Sequence, residues 1–222
     1  MTGRTKVLAI INAKGGVGKT TISTHLAVSA ERLGLVTAIL DLDPQPSSTL
    51  WADHRQGSSP AVVAAQAARL PLFIKQARAQ EADLIILDTP PKAEGTAAES
   101  AAQADMILIP TQPKPIDLDA LPQTIQLARA SGKPFCVVLN NAPMQGQEVA
   151  DATAALTKAG IEVVPVVLHN RKAFYSHMQL GQTAEEFDPG GKAASEIRAL
   201  MLWLAERVGL LTNIQTDKRK TA

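Results

Sequence analysis

The feature that most constrains this chain is a glycine-rich loop, NAKGGVGKTT, at residues 12–21. A short apolar run, KVLAIIN, leads into the loop, and a sequence with helical periodicity follows it directly. The glycines allow the backbone to curl until successive N–H groups point at one anion, and the positive end of the following helix adds to the attraction. In this strand–loop–helix context Lys19 is expected to reach the β- and γ-phosphates of a nucleotide, and the Thr20 hydroxyl to bind Mg²⁺.

Short apolar runs alternate with helical periods along the rest of the chain. The runs are rich in Val, Ile and Leu and are apolar on both faces, which is typical of strands buried in a parallel sheet. They lie at residues 6–12, 36–42, 83–88, 106–110, 134–139 and 162–168, and helices are predicted at 20–33, 119–130 and 194–208. The alternation predicts an α/β protein with three layers, in which helices cover both faces of a mostly parallel central sheet.

Composition excludes several other classes of protein. Hydrophobic residues make up 45% of the chain and the formal net charge is +1, so a disordered chain is excluded. The single cysteine, Cys136, excludes a disulfide scaffold. No apolar run reaches the roughly 18 residues of a membrane span, and the N-terminus lacks the apolar stretch of a signal peptide. We expect a cytoplasmic protein with one domain at residues 1–211 and a flexible tail at residues 212–222.

Acidic residues stand at the ends of two predicted strands. Asp41 and Asp43 lie in ILDLDPQ, and Asp88 lies in LIILDTPP. Because the carboxyl ends of parallel strands form the ligand-binding edge of an open α/β sheet, these side chains are expected beside the glycine-rich loop. Asp43 is expected to order an attacking water or to join the Mg²⁺ shell. For Asp41 we expect a structural role, bonding to the loop.

The string KGGVGKTT resembles the deviant Walker A motif of the ParA/MinD family of ATPases, which have a P-loop NTPase fold and bind ATP and Mg²⁺. Ala13 stands where the ordinary phosphate loop has its first glycine, and an additional lysine, Lys14, precedes the glycine pair. In that family the early lysine crosses a dimer interface and touches the phosphates of the partner's nucleotide. The resemblance therefore implies a catalytic role for Lys14 beside Lys19, because a second cation offsets charge that develops on the transferring phosphoryl group.

The resemblance extends to the other motifs of the family, in the expected order. It implies that Asp43 is the switch I residue associated with hydrolysis, and that Asp88 is the Walker B aspartate, which polarises magnesium through a water. With Thr20, these two aspartates are the expected metal-site residues. The residues that the resemblance assigns to the nucleotide are Lys14, Gly15, Gly16, Val17, Gly18, Lys19, Thr20, Thr21 and Asn140.

The expected base is adenine. GTPases place an Asn-Lys-x-Asp string after the corresponding strand, where the aspartate accepts hydrogen bonds from guanine. Here the strand is followed by Asn140 and Asn141, and no aspartate stands at the needed spacing. Asparagine amides still serve adenine, and Asn140 matches the family's adenine-contacting position. By the same resemblance, the loop at residues 169–172 would close the other side of the base pocket.

Three branches of the family fit this chain poorly. MinD-like members end in a basic amphipathic helix that binds membrane, whereas this chain ends in TNIQTDKRKTA and offers no useful apolar face, so no membrane partner is expected. Nitrogenase iron-protein relatives need cysteines for an iron–sulfur cluster. Larger partition ATPases carry an N-terminal helix-turn-helix, and here the first predicted strand begins near Lys6. The remaining branch is the small ParA-type partition ATPase.

This branch implies an ATP-dependent homodimer that sandwiches the nucleotides and binds DNA without sequence preference. It also implies a ParB-like or other cargo-adaptor protein that stimulates an otherwise weak hydrolysis. We expect association with the nucleoid and transport of plasmid or chromosomal cargo. Basic side chains would contact DNA phosphates. The candidates are Arg171, Lys172, Lys192, Arg198, Arg207 and the tail cations Lys218, Arg219 and Lys220.

Two other functions remain open at this point. A related ATPase that positions protein cargo, such as chemoreceptor clusters or carboxysomes, would share all of this chemistry. A P-loop metabolic or maturation enzyme, such as a dethiobiotin synthetase-like ligase, would instead have a small-molecule acceptor pocket and would not bind DNA.

Overall fold

The computed structural model describes residues 5–211, so the predicted tail at residues 212–222 and its cations lie outside the described residues. The strands are β1 (Lys6–Ile10), β2 (Thr37–Asp41), β3 (Ala61–Ala64), β4 (Leu84–Asp88), β5 (Met106–Thr111) and β6 (Phe135–Leu139). They form one six-stranded sheet in the order β3-β2-β4-β1-β5-β6, and each of these pairings is parallel.

Helices cover both faces of this sheet. Their bounds are α1 (Lys19–Arg32), α2 (Ser47–Asp53), α3 (Leu70–Ala79), α4 (Glu94–Gln103), α5 (Pro115–Leu118), α6 (Leu121–Ala130), α7 (Glu148–Lys158), α8 (Ala184–Phe187) and α9 (Lys192–Val208), with short 3₁₀ turns at Ala67–Arg69, Lys172–Phe174 and Met178–Leu180. Between residues 5 and 211 no helix has both the length and the apolar character of a membrane span.

Two hydrophobic cores, one on each side of the sheet, make the three layers. On one side α1 and α9 bury residues such as Ile22 and Leu200 against alternate strand residues. On the other side α3, α4, α6 and α7 bury residues such as Ile74 and Leu121 against the intervening ones. Each large aliphatic side chain buried in this way contributes about 1.5–3 kcal/mol. The predicted three-layer α/β fold with a parallel sheet is confirmed.

The strand register places the C-terminal ends of β1, β4 and β2 side by side. In β4, Asp88 lies opposite Ile10 of β1 on one side and opposite Asp41 of β2 on the other. The glycine-rich loop follows β1 directly, and the DPQ segment follows β2. The end of the central strand β4 therefore lies between the glycine-rich loop and the loop that carries Asp43.

The structure corrects the strand and helix predictions in three places. The edge strand β3 was not predicted, because AVVA is short and, at an edge, leaves most of its side chains exposed. Residues 162–168 were predicted as a strand but make only isolated contacts with the β6 side of the sheet, where Pro165 has no N–H to donate. The helix predicted at residues 119–130 begins two residues later, as α6 at Leu121, and the separate short helix α5 precedes it.

Candidate nucleotide-binding site

Side-chain donors form hydrogen bonds to carbonyl oxygens of the glycine-rich loop. The Lys19 Nζ atom donates to the carbonyls of Asn12 (3.0 Å) and Lys14 (3.2 Å), and Asn140 Nδ2 donates to the carbonyl of Val17 (2.7 Å). Gly18, the residue before α1, has φ +92°, a conformation that a side chain would strain. With its carbonyls turned toward these donors, the loop presents N–H groups rather than oxygens to an anion.

Buried polar side chains fix the start of the loop. Asn12 Nδ2 donates to the Pro110 carbonyl (2.9 Å), and its Oδ1 accepts from the Lys14 N–H (2.8 Å). The N–H of Ala13 donates to the Thr124 hydroxyl on α6 (3.2 Å). The position that lacks the usual glycine is thus held by a side chain from the adjacent helix, a contact that no local sequence pattern indicates.

Lys19 is almost fully buried at the base of the loop. Burial lowers the pKa of its ammonium group, and the negative charges of Asp88 and Asp43 oppose that shift. Two of the three ammonium protons go to loop carbonyls, which leaves one for a phosphate oxygen. The lysine therefore meets the requirements of a phosphate ligand that is held rigidly in place.

The two aspartates after β2 have different surroundings. Asp41 is buried, and its carboxylate accepts from the N–H (2.9 Å) and hydroxyl (3.2 Å) of Thr49 and from the N–H of Asp43 (3.1 Å). It therefore has a structural role, but it anchors α2 rather than the glycine-rich loop, which corrects the expected partner. Asp43 is partly exposed, and its negative charge lies near enough to Lys19 to raise the pKa of the Lys19 ammonium group.

Asp88 is a buried carboxylate with one oxygen bonded and the other, among the described residues, free for a ligand. Its Oδ2 accepts from the Ser48 hydroxyl (2.7 Å), whereas its Oδ1 is buried and has no hydrogen-bond partner within residues 5–211. Burial raises the pKa of this carboxyl to about 6, and the hydroxyls of Ser48, Thr20 and Ser23 oppose the shift. An orphaned carboxylate oxygen beside Thr20 fits a hydrated Mg²⁺ ion, because such an ion offers water protons to outer-shell carboxylates.

A pocket of about 410 Å³ lies beside the loop, where the base of a nucleotide would be expected. Because Asn140 Nδ2 is committed to the Val17 carbonyl, its Oδ1 is the side chain's acceptor for a ligand in this pocket. Gly18 allows the close approach, since a Cβ atom there would lie 2.3 Å from Asn140 Nδ2. The residues that line the pocket are Gly16, Gly18, Thr21, Asn140, Asn141, His169, Asn170, Arg171, Phe174 and Tyr175.

Glu196 of α9 holds the far wall of this pocket. Its carboxylate accepts from the His169 N–H (3.1 Å) and Nδ1 (2.8 Å) and from the Arg171 Nε (2.9 Å) and terminal nitrogen (2.7 Å). Burial alone would raise the pKa of Glu196, but the bonds from Arg171 and His169 outweigh burial and lower it. Residues 169–171 of the expected loop at residues 169–172 line the pocket, whereas Lys172 does not, and sequence reasoning missed the anchor of this loop on α9.

Lys14 makes an ion pair within its own chain. Its Nζ lies 2.9 Å from Oδ1 of Asp117 on α5, which is buried. Lys14 lines a groove of about 700 Å³ on the loop side of the sheet. Asp117 is next in sequence to Ile116, a strongly exposed residue that also lines this groove. The side chain that the resemblance assigns to a partner's nucleotide is thus engaged in cis in this structure.

The five candidate DNA-binding cations within the described residues separate into paired and unpaired ones. Arg171 is engaged by Glu196, and Arg198 donates to Oε1 of the buried Glu185 (3.0 Å) and to the Pro189 carbonyl (3.1 Å). Lys172 and Lys192 are exposed and are not part of an ion pair within the described residues. Arg207, also suggested above, lies against Glu162 and over the ring of Trp203.

Comparison with known sequences places most of the chain in one group of proteins. A sequence model of the CobQ/CobB/MinD/ParA nucleotide binding domain matches residues 8–184. Maintenance of carboxysome distribution protein A of Gloeobacter kilaueensis is 33% identical over 174 residues, which cover 76% of this chain and 78% of that protein. Protein ParA of Rhizobium radiobacter is 26% identical over 186 residues, which cover 79% of this chain and 83% of that protein.

Comparison with solved structures agrees with the sequence comparison. The septum site-determining protein MinD from Pyrococcus horikoshii, solved in complex with Mg-ADP, superposes with a TM-score of 0.75. The match covers 93% of this chain and 98% of that one at 16% sequence identity, so it bears on the fold alone. It confirms the P-loop NTPase fold that the resemblance implied.

Proposed function

The chain belongs to the CobQ/CobB/MinD/ParA nucleotide-binding family, which includes the ParA/MinD ATPases, and we propose that it is a ParA-type ATPase that positions cargo in the cell. Two copies would close around ATP and Mg²⁺ as a sandwich dimer, which binds DNA without sequence preference. A ParB-like adaptor on plasmid or chromosomal cargo would then stimulate a weak hydrolysis and release the dimer. The protein would act in the cytoplasm, in association with the nucleoid.

The observation that carries the nucleotide part of this proposal is the proximity of Asp43 and Asp88 to Lys19, which is buried at the base of the glycine-rich loop. Lys19 has one proton free for a phosphate oxygen. Asp88 offers Oδ1 to a water of the metal shell, beside the Thr20 hydroxyl. Asp43 is the partly exposed carboxylate at this point and would orient the attacking water. Bound Mg²⁺ would neutralise charge on the β- and γ-phosphate oxygens.

The base pocket supports ATP over GTP. Adenine carries an amino group at the position where guanine carries a carbonyl oxygen. Because Asn140 presents Oδ1 and not its amide nitrogen, it can accept from the amino group of adenine and would repel the carbonyl oxygen of guanine. The contact with Val17 therefore sets the base preference indirectly, by fixing which end of the amide faces the ligand.

DNA binding is the part of the proposal that most needs an experiment. In a gel mobility assay at low salt, we expect the protein to retain DNA with ATP, and not with ADP or without nucleotide, whatever the DNA sequence. The variants Lys172→Glu and Lys192→Glu, combined, should weaken retention by about tenfold or more, because binding to phosphates depends on local positive charge. Arg171 and Arg198 are poorer test sites, since their replacement would also release Glu196 and the buried Glu185.

A matched control comes from the opposite face of the sheet. Lys158, at the end of α7, is exposed and belongs to the layer on the other side of the sheet from α9, so Lys158→Glu makes the charge change of either single variant elsewhere. If Lys158→Glu weakens retention as much as the double variant does, the effect is one of net charge and Lys172 and Lys192 are not specific DNA contacts. If the parent protein binds DNA under none of the conditions, the metabolic or maturation enzyme becomes the better candidate.

A second candidate function is the positioning of protein cargo. The similarity to a carboxysome distribution protein is the specific observation in its favour. It shares the ATP and DNA chemistry, so only the cargo distinguishes the two candidates. Deletion of the gene in the cell that encodes it would cause loss of a replicon in the first case, and clustering of a protein body in the second.

A further inference from the structure

The two oxygens of Asp88 are in different environments, and Ser48 causes the difference. The Ser48 hydroxyl donates to Oδ2 over 2.7 Å, and both side chains are buried. The other oxygen, Oδ1, is also buried and has no hydrogen-bond partner within the described part of the chain. A carboxylate with one oxygen held by a fixed donor cannot exchange its two oxygens without breaking that bond.

Ser48 comes from the helix that follows the Asp43 loop. Its neighbour Thr49 donates its N–H and hydroxyl to Oδ2 of Asp41. Asp41 and Asp88 are directly opposite each other in the paired strands β2 and β4. Two consecutive residues of α2 thus bind two neighbouring carboxylates at the sheet edge, and residues 42–46, which include Asp43, form a short loop that is fixed at both ends.

We propose that Ser48 is a positioning residue that turns Asp88 toward the metal site and ties the Asp43 loop to the same carboxylate. The proposal rests on the proposed function, since it assigns Oδ1 of Asp88 to a water of the Mg²⁺ shell. Ser48 itself would not touch the nucleotide or the metal, because its hydroxyl proton is engaged by Asp88 Oδ2. It donates one proton to Oδ2, which keeps Oδ1 directed at Thr20 and the phosphate loop.

The same contact gives the chain a link between its two acidic motifs. A displacement of Asp88 would pull on Ser48 and so on α2, whose first turn also ends the Asp43 loop. The hydroxyl therefore couples the position of the metal-site carboxylate to that of the carboxylate assigned to the attacking water. A serine that only capped the short helix α2 would contribute stability and would have no influence on the requirement for Mg²⁺.

The test is Ser48→Ala, with Ser47→Ala as the matched control. Ser47 is the adjacent residue of the same helix, but it is exposed, and among residues 5–211 its hydroxyl bonds only to the Gln45 carbonyl (3.2 Å). The measurement is the binding of a fluorescent, non-hydrolysable ATP analogue, titrated with Mg²⁺ and repeated in EDTA. Loss of an outer-shell partner costs about tenfold or more in metal affinity. We therefore expect Ser48→Ala to need about tenfold more Mg²⁺ for half-maximal binding, with unchanged affinity in EDTA.

Three results would decide the matter. If Ser48→Ala has the Mg²⁺ requirement of Ser47→Ala and only a lower melting temperature, Ser48 contributes stability alone and the proposal is wrong. If Ser48→Ala shifts the Mg²⁺ requirement equally in an Asp88→Asn background, Ser48 does not act through Asp88 and the proposal is also wrong. If the parent protein does not bind the analogue with Mg²⁺, it is the proposed function that fails.

Ser48→Cys keeps the proposal testable if Ser48→Ala does not fold. The thiol is close in size to the hydroxyl and is a weaker donor, so the buried site stays filled. We expect its Mg²⁺ requirement to lie between those of the parent and Ser48→Ala. A Ser48→Cys protein that is folded and needs no more Mg²⁺ than the parent, although its bond to Asp88 is weakened, would overturn the proposal.

Discussion

At the scale of single residues, the site depends on side chains that have one polar end engaged and the other free. Asn140 uses its amide nitrogen on Val17 and keeps its oxygen for a ligand. Asp88 uses one oxygen on Ser48 and keeps the other. Lys19 uses two protons on loop carbonyls and keeps the third. In each case the internal bond fixes the direction of the free group, so the site is organised before a ligand arrives.

Asn140→Ala tests this principle in the base pocket. We expect the preference for ATP over GTP to fall by about five- to tenfold, because the variant loses both the acceptor for the adenine amino group and the contact with Val17. The measurement is competition of each nucleotide against a fluorescent ATP analogue. Asn170→Ala is the control, since Asn170 lines the same pocket but is exposed. An unchanged ATP-to-GTP ratio in Asn140→Ala would remove Asn140 from base selection.

At the scale of elements, α1 connects the phosphate loop to the C-terminal part of the fold through one histidine. His25 is fully buried on α1, where its Nδ1 donates to the Thr21 carbonyl (2.8 Å) and its Nε2 accepts from the Ala184 N–H of α8 (3.1 Å). The ring also packs edge-on against Phe174, beside the base pocket. An imidazole that donates at one nitrogen and accepts at the other must be neutral, and burial lowers its pKa to about 4.

This arrangement predicts a pH dependence of stability. In the unfolded chain His25 binds a proton near the ordinary histidine pKa of 6.5, and in the folded chain it does so only near 4. The stabilisation is therefore complete above pH 6.5 and is lost as the pH falls toward 4. Between pH 7 and pH 5 we expect the free energy of unfolding to fall by about 2 kcal/mol on account of this residue.

A His25→Gln variant isolates the effect from that of other groups, such as Asp88, whose raised pKa acts in the opposite direction. The variant should be less stable than the parent at pH 7, and the difference in unfolding free energy by urea titration should shrink by about 2 kcal/mol at pH 5. A difference that is equal at the two pH values would show that His25 does not titrate in this range.

At the scale of the whole molecule, the sheet order decides which distant segments meet on the loop face. Strand β1 lies between β4 and β5, so the segments that follow these strands flank the phosphate loop. One of them, α5, carries Asp117, which pairs with Lys14 over 2.9 Å. In the proposed dimer, Lys14 would have to leave Asp117 in order to reach the nucleotide of the other copy. On that proposal, the ion pair would oppose assembly.

Asp117→Asn removes the charge that holds Lys14. We expect the ATP analogue concentration for half-maximal dimerisation, measured by light scattering after size-exclusion chromatography, to fall by about three- to fivefold, as for loss of a partly exposed ion pair. Asp119→Asn is the control, because Asp119 is exposed in the same groove. Weaker dimerisation of Asp117→Asn would mean that Asp117 directs Lys14 toward the partner instead.

Lys14→Ala should reduce hydrolysis more than ATP binding.

The sequence by itself determined the fold class and the phosphate loop, because both depend on local patterns. A strand, a run of glycines, a lysine and a helix follow one another within residues 6–32, so no distant contact is needed to recognise them. The same holds for Asp88, which must stand at the end of a strand because four apolar residues precede it. The expectation of adenine rather than guanine also rested on neighbouring residues after β6.

Only the tertiary structure decided how these groups are held and which of them are free. Ser48 and Asp88 are 40 positions apart in the chain, and nothing in the local pattern of either indicates the other. The pairing of Arg171 with Glu196, of Arg198 with Glu185 and of Lys14 with Asp117 likewise depends on packing between separate elements. The physical reason is that periodicity reports which face of an element is buried, whereas the strand order and register determine which side chains meet there.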